Sequence, residues 1–256
     1  MQKTIFITGA AAGIGRASAL LFRQKGYFVG LFDRDKAAGE RLLAEMGSEN
    51  AMFGELDVRN ADAFVRSVSA FGDRTGGRMD VLFSSAGILR TGSFDAIPLA
   101  ESKAMIEINV LGVLNGIYAA LPMLEKTGQA SVVTMSSASA IYGTPEQAVY
   151  SASKFAVRAL TEALDIEFAR RGIRVTDVMP SYVDTEMVSS QRFRPGTLTS
   201  RGIKLTAEDV AELVWRAAEG SRVHWFASLD ESFLHHVGNL VPGFGRALMR
   251  KISRLG

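Results

Sequence analysis

Tyr150 and Lys154 stand four residues apart in the stretch 149–157, VYSASKFAV, which otherwise has the pattern of a helix. Residues four apart share a helix face about one turn from each other, so the phenol and the ammonium can address one target. Tyrosine titrates near pH 10 and is a poor base at neutral pH unless a neighbouring cation favours its phenolate. A lysine one turn away is such a cation. Ser137 lies 13 residues before Tyr150, where its hydroxyl could hold a substrate oxygen beside the phenol. Asn109, in an earlier long helical segment, could add a polar anchor. Together the four suit proton transfer to or from a hydroxyl or carbonyl oxygen. Taken singly, the pair also reads as a helix surface and Ser137 as a strand-end serine.

Such side chains need a scaffold, and the chain supplies a regular one. Short runs rich in β-branched or aromatic residues, at 4–8, 27–32, 52–56, 81–85, 131–136, 174–179 and 223–227, alternate with segments of helical period. Those segments are 14–24, 36–46, 61–71, 99–125, 149–171 and 207–219, the last opening after Thr206 as N-cap with Asp209 in its first turn. Gly26, Gly47 and Gly172 stand where helix ends want glycine. The alternation predicts an α/β chain: a single doubly wound Rossmann-type domain over residues 1–256, with about seven parallel strands and helices on both faces. Residues 181–206, with Pro195, Gly196 and Gly202, lack a strong period and follow a strand's carboxyl end. Ligands bind at that edge of open α/β sheets, so a substrate lid is expected there. Residues 228–256 form a C-terminal extension.

Directly after the first strand, Gly9, Gly13, Ile14 and Gly15 follow the order G-x-x-x-G-x-G and open the first helix. Glycine permits a tight turn and close backbone approach to a pyrophosphate, and the helix start offers free N–H groups. The spacing differs from G-x-G-x-x-G, so the turn needs a second signal. Asp33 provides it at the end of the second strand, 18 residues beyond Gly15. An acid there accepts hydrogen bonds from an adenosine ribose and repels a 2′-phosphate, which favours NAD(H) over NADP(H). Arg34 argues the other way, since an arginine beside the ribose can pair with a phosphate. Asp57, followed by Val58 after the third strand, could meet adenine or be a solvated loop aspartate.

Composition closes off other classes. There is no cysteine, which excludes disulfides and thiolate chemistry, and a net charge of +2 is too small to argue for nucleic acid. His235 and His236 point about 100° apart on a helix and have no nearby cysteine or carboxylate cluster, so no metal is expected. His224 reads as a strand residue. The N-terminus lacks the apolar run of a signal peptide, and no stretch approaches the roughly 20 apolar residues of a membrane span. A soluble, cytoplasmic protein is the expectation.

In order and spacing, these motifs resemble the short-chain dehydrogenase/reductase family. The family's T-G-x-x-x-G-x-G is Thr8 to Gly15, its Y-x-x-x-K is Tyr150 to Lys154, and its serine and asparagine positions match Ser137 and Asn109. The likeness runs from residue 3 to about 227. It implies a nicotinamide-dependent alcohol/carbonyl oxidoreductase in which Tyr150 is the general acid/base. Lys154 would lower the pKa of Tyr150 and bind the nicotinamide ribose, Ser137 would hold the substrate oxygen, and Asn109 would help carry a water-mediated proton relay. The resemblance also implies cofactor contacts from Ala86, Gly87, Pro180, Val183 and Thr185, and a homodimer or homotetramer formed through 99–125 and 149–171. Two positions depart from the family: Ser85 replaces the asparagine of N-A-G, and Ser181 replaces the glycine of P-G. If position 181 needs positive φ, serine is strained there.

By position, the pocket should include Leu89, Ala138, Ile141, Tyr142, Tyr182, Met187, Val188 and Phe193. This mostly apolar set favours a hydrophobic secondary alcohol or ketone, a reading that Arg192 or Arg194 would overturn by facing inward. In the tail, Phe244, Leu248, Ile252 and Leu255 fall near one helical stripe, with Arg246, Arg250, Lys251 and Arg254 largely elsewhere. Such a helix can lie on an anionic membrane, but stable anchoring needs a second signal, so packing on the lid or a neighbouring subunit is favoured. The rival to an enzyme is an NAD(P)(H)-binding sensor or scaffold of the same fold. The intact Asn109, Ser137, Tyr150 and Lys154 argue against it.

Overall fold

The computed structural model describes residues 1–240 and 242–253. Seven strands, β1 (Thr4–Thr8), β2 (Phe28–Asp33), β3 (Ala51–Glu55), β4 (Val81–Ser84), β5 (Ala130–Met135), β6 (Ile173–Met179) and β7 (His224–Phe226), form one sheet in the order β3-β2-β1-β4-β5-β6-β7. Every neighbouring pair is parallel. Strands covered on both faces read as continuous apolar runs, and every residue of β1 and of β5 is buried. The strand order reverses at β1, where Thr8 sits in register with Phe32 on one side and Ser84 on the other. A crevice opens at such a switch point, beyond the carboxyl ends of the strands.

The connecting helices are α1 (Gly13–Gln24), α2 (Lys36–Met46), α3 (Ala61–Thr75), α4 (Leu99–Ile106), α5 (Gly112–Thr127) and α6 (Ala148–Phe168). Alternation along β1 feeds two cores: Ile5 and Ile7 pack with Phe22 of α1 on one face, and Phe6 packs with Phe64 and Phe71 of α3 and Ile117 of α5 on the other. Phe6 stacks on Phe32 with centroids 3.9 Å apart. Helix α9 (Ala207–Glu219) joins the first core, and Thr206 and Asp209 close its N-terminus in a reciprocal capping box.

Three differences from the sequence reading concern regions near the crevice. The segment expected as one helix over 99–125 is α4 and α5 joined by a π-helical turn, Glu107–Leu111, that carries Asn109. The stretch Leu99–Thr127, with mean hydropathy 1.6 in its most apolar window, is long and apolar enough to cross a membrane, contrary to the composition reading. Here Val113, Ile117, Ala120 and Leu124 bury one side of it in the second core. Finally, the lid holds two short helices, α7 (Glu186–Ser189) and α8 (Gly196–Arg201), and Val183 bridges to Leu205 at its base.

After β7 come α10 (Leu229–Leu240) and α11 (Pro242–Ser253). Helix α11 packs on the lid: Ser200 Oγ donates to the Ile252 carbonyl at 2.9 Å, and Met249 is buried. Arg246, Arg250 and Lys251 are exposed. The side chain of Phe244, with Arg254 and Leu255, lies outside the described residues.

Candidate active site

At one end of the crevice the backbone does the shaping. A Cβ at Gly15 would fall 2.0 Å from the Gly9 carbonyl oxygen, and one at Gly9, whose φ is +66°, would fall 2.8 Å from Ala86 Cα. Only glycine lets this turn close against the loop after β4. That loop is held by Thr8, whose hydroxyl accepts from the Ala86 amide at 3.2 Å, so Ser85 in place of asparagine leaves the backbone braced. Asp33 faces the same turn: one carboxylate oxygen accepts from the Ala11 amide at 3.0 Å and the other from the Asp35 amide at 3.0 Å. Arg34, Val58 and Asp57 also line the cleft. The Asp57 carboxylate is forked by Arg59 at 2.5–3.0 Å, which holds its pKa low and leaves it less free for adenine than the sequence suggested.

In mid-cleft, α6 carries Tyr150 and Lys154 under the end of β5. Lys154 Nζ donates to the Met135 carbonyl at 2.7 Å and lies 5.5 Å from the Tyr150 ring centroid. Lys154 is buried and Tyr150 half-buried, and desolvation disfavours each charged form. It pushes the phenol up to about 12, opposed by a hydrogen bond with the Ser137 hydroxyl, and pulls the ammonium down to about 8. Desolvation is the largest influence on the Tyr150 phenol. Ser137 Oγ accepts from the Ser139 amide at 3.1 Å, which orients it beside the phenol.

Asn109 does not line the cleft. Its side chain brackets Ile88, accepting from the amide at 2.8 Å and donating to the carbonyl at 3.0 Å, and donates to Ser153 Oγ at 3.1 Å. It ties the loop carrying Gly87 to α6, and the side chain has no free donor for a substrate.

Pro180, Val183 and Thr185 line the wall between, with the Thr185 methyl 3.4 Å from where a Gly13 Cβ would stand. Ser181 carries no positive φ; among the described non-glycine residues only Glu146 does, at +64°. The anticipated strain at Ser181 is thus absent, and its hydroxyl instead bonds the buried Glu231 carboxylate of α10.

The cleft has a volume of about 410 Å³ and runs from the glycine turn to Met249 of α11. Leu89, Ala138, Tyr142, Tyr182, Met187 and Val188 line its far half as expected. Ile141 and Phe193 do not: the turn Ala138–Ala140 puts residues 138, 139 and 142 into the wall and Ile141 outside it. Arg192 and Arg194 are exposed and also outside. The wall instead gains Gln147, Thr197 and Arg201, for which no sequence motif stood. Elsewhere, His224 lies in β7 and bonds Asp177 at 2.8 Å, while the His235 and His236 rings sit at 83° to each other.

Comparisons with known proteins agree with this architecture. Residues 3–195 match the short chain dehydrogenase family. An uncharacterised oxidoreductase of Listeria monocytogenes is 35% identical over 193 residues, 74% of this chain and 77% of the relative. A 3-ketoacyl-(acyl-carrier-protein) reductase of Brucella melitensis, solved with NADH, superposes with TM-score 0.80 at 27% identity, covering 88% of this chain and 96% of that one. ElxO, solved with NADP, gives 0.77 at 28% identity over 88% and 96% of the two chains. The chain belongs to the short-chain dehydrogenase family, oxidoreductases built on this nicotinamide-binding Rossmann sheet.

Proposed function

We propose that this protein transfers a hydride between NAD(H) and a secondary alcohol/ketone pair with apolar flanks, with Tyr150 as general acid/base. The observation that carries this reading is the convergence of the Tyr150 phenol, the Ser137 hydroxyl and the Lys154 ammonium in mid-cleft, next to a turn whose glycines leave room for a pyrophosphate. That cradle, which a Cβ at Gly9 or Gly15 would fill, fits a dinucleotide. Gly13, Ile14 and Gly15 would hold its phosphates at the start of α1, Asp33 its adenosine ribose, and Ala86, Gly87, Val183 and Thr185 its nicotinamide side. When bound, the cofactor supplies or accepts the hydride.

The protein's own part is orientation and proton movement. Ser137 holds the substrate oxygen against the Tyr150 hydroxyl, and in carbonyl reduction the phenol donates its proton to that oxygen. Lys154, fixed by Met135, stands beside Tyr150 and is placed to hold the nicotinamide ribose. Asn109 acts as a positioning residue, bracing Ile88 and Ser153 rather than contacting substrate. Because burial raises Tyr150 to about 12, the phenol is protonated at neutral pH and is ready as an acid. Alcohol oxidation needs the phenolate, so its rate should climb with pH, roughly tenfold per unit below that pKa, while reduction stays flat. Exposed Leu99, Tyr118 and Ile166 on α4, α5 and α6 support assembly of copies through those helices.

The test is absorbance at the reduced-nicotinamide band while secondary alcohols and ketones are offered with each of NAD(H) and NADP(H). Turnover with NAD(H) favoured supports the reading. A protein that binds dinucleotide but turns over nothing in the panel is the sensor of the rival view.

A further inference from the structure

Among the described residues three cations line the cleft, and two have evident work there: Arg34 stands beside Asp33, and Lys154 is bonded to Met135. The third is Arg201, at the end of α8 in the lid. Among the described residues it makes no hydrogen bond and no ion pair, although it is half-buried. A guanidinium in that position lacks the carboxylate that normally offsets its partial desolvation.

Its surroundings are donors. The Tyr142 hydroxyl lines the same end and, among the described residues, makes no hydrogen bond either. Arg201 stands near enough to favour the ionised forms of both Tyr142 and Tyr182. The Tyr182 hydroxyl is fixed, taking a hydrogen bond from Gln147 and sharing another with buried Thr197 at 2.7 Å.

One acid lies nearby. Glu231 is close enough to feel Arg201, but it forms no ion pair with it. Its Oε2 accepts from the Ala227 amide at 3.1 Å and the Ser228 amide at 3.2 Å, and the Ser181 hydroxyl also bonds the carboxyl group. Burial also favours its neutral form, so it is a weak competitor for the guanidinium.

We propose that Arg201, with Tyr142, reads an anionic group at the far end of the substrate, so that the natural substrate is an oxo or hydroxy acid whose carboxylate is separated by an apolar chain from the reacting carbon. This rests on the oxidoreductase reading and narrows its substrate class. The apolar wall formed by Leu89, Met187 and Val188 takes the spacer, and the planar guanidinium takes the carboxylate in a fork. Arg192 and Arg194, on the exposed part of the lid, play no part.

The experiment compares 4-oxopentanoate, 5-oxohexanoate and 7-oxooctanoate, each with its methyl ester, on the wild type, Arg201→Met and Arg201→Lys in the presence of reduced cofactor. The expected result is a preference of the wild type for an acid over its ester at one chain length. Arg201→Met should lower the acid-to-ester ratio of kcat/KM by roughly 10- to 100-fold, and Arg201→Lys should keep part of the preference. An acid-to-ester ratio that is the same in wild type and Arg201→Met at every length would overturn the proposal, as would a wild type that prefers the ester throughout. Calorimetric titration with octanoate, which has no carbonyl to reduce, separates this from failure of the catalytic reading. A protein that reduces nothing but binds octanoate at least tenfold more tightly than Arg201→Met keeps the anion site; one that reduces ketones and binds octanoate no better than Arg201→Met does not have it.

Discussion

The two ends of the cleft are made in different ways. The cofactor end is backbone: β1 is wholly buried, the glycine turn follows it directly, and Asp33 reaches that turn from the adjacent strand. The substrate end is an assembly of side chains on separate pieces of chain: Leu89, the turn at Ala138, the start of α6, the lid and α11. Its joints are single polar contacts, such as the Glu146 carboxylate on the Gly196 amide at 2.8 Å and Ser200 on Ile252. A core strand cannot change without disturbing both packed faces, whereas a lid joined by a few hydrogen bonds can diverge at little cost to the sheet. On the proposed reading, cofactor binding sits on the first kind of structure and choice of substrate on the second.

The sharpest way to break this division is at the junction. Tyr150→Phe removes only the hydroxyl from a half-buried ring, so the cleft keeps its shape. We expect kcat to fall by about three orders of magnitude, while the affinity for NADH, measured by fluorescence titration, changes by less than about threefold. A loss of both together would mean that Tyr150 holds the two ends in place rather than moving a proton.

Asp33→Ala probes the cofactor end with a smaller effect. The carboxylate holds the Ala11 amide as well as facing the cleft, so the variant should loosen the turn for either dinucleotide. The ratio of kcat/KM for NADPH to that for NADH cancels this common loss. It should rise by roughly 10- to 100-fold, the range of a charged hydrogen bond lost on one side and a repulsion lost on the other, with Arg34 left to meet the 2′-phosphate. An unchanged ratio would remove Asp33 from cofactor choice.

The same contrast explains what could be seen in the chain before its fold. The strands and the glycine turn were legible because their causes are local: β-branched runs, and positions where any Cβ meets backbone. Tyr150 and Lys154 were legible because four residues is one helical turn. The split of the long helix at Asn109 was not, since a π-helical turn leaves no compositional mark among residues such as Ile108 and Val110. Arg201 and Glu231 were invisible for a different reason. Their meaning depends on how the lid and α10 fold back over Tyr182 and Ser181, and no periodicity encodes a contact between elements so distant in the sequence. Arg192 and Arg194 drew attention instead because they stood out in the same loop, yet they remain in solvent.

The smallest effect should come from the substrate end itself. Tyr182 links Gln147 at the N-cap of α6 to Thr197 on α8, so its hydroxyl ties the catalytic helix to the lid. In Tyr182→Phe the ring still fills the wall, but Gln147 and buried Thr197 lose a partner, a cost of about 1 kcal/mol. In a chain of this size that corresponds to a fall in Tm of roughly 2–4 °C. If the two ends are separable, KM for a substrate reaching past Tyr182 should rise a few-fold while kcat and the KM for NADH stay as they were. A fall in kcat matching the rise in KM would show that the tie through Tyr182 also sets the position of Tyr150, and that the lid takes part in the chemistry rather than only in the choice of what reaches it.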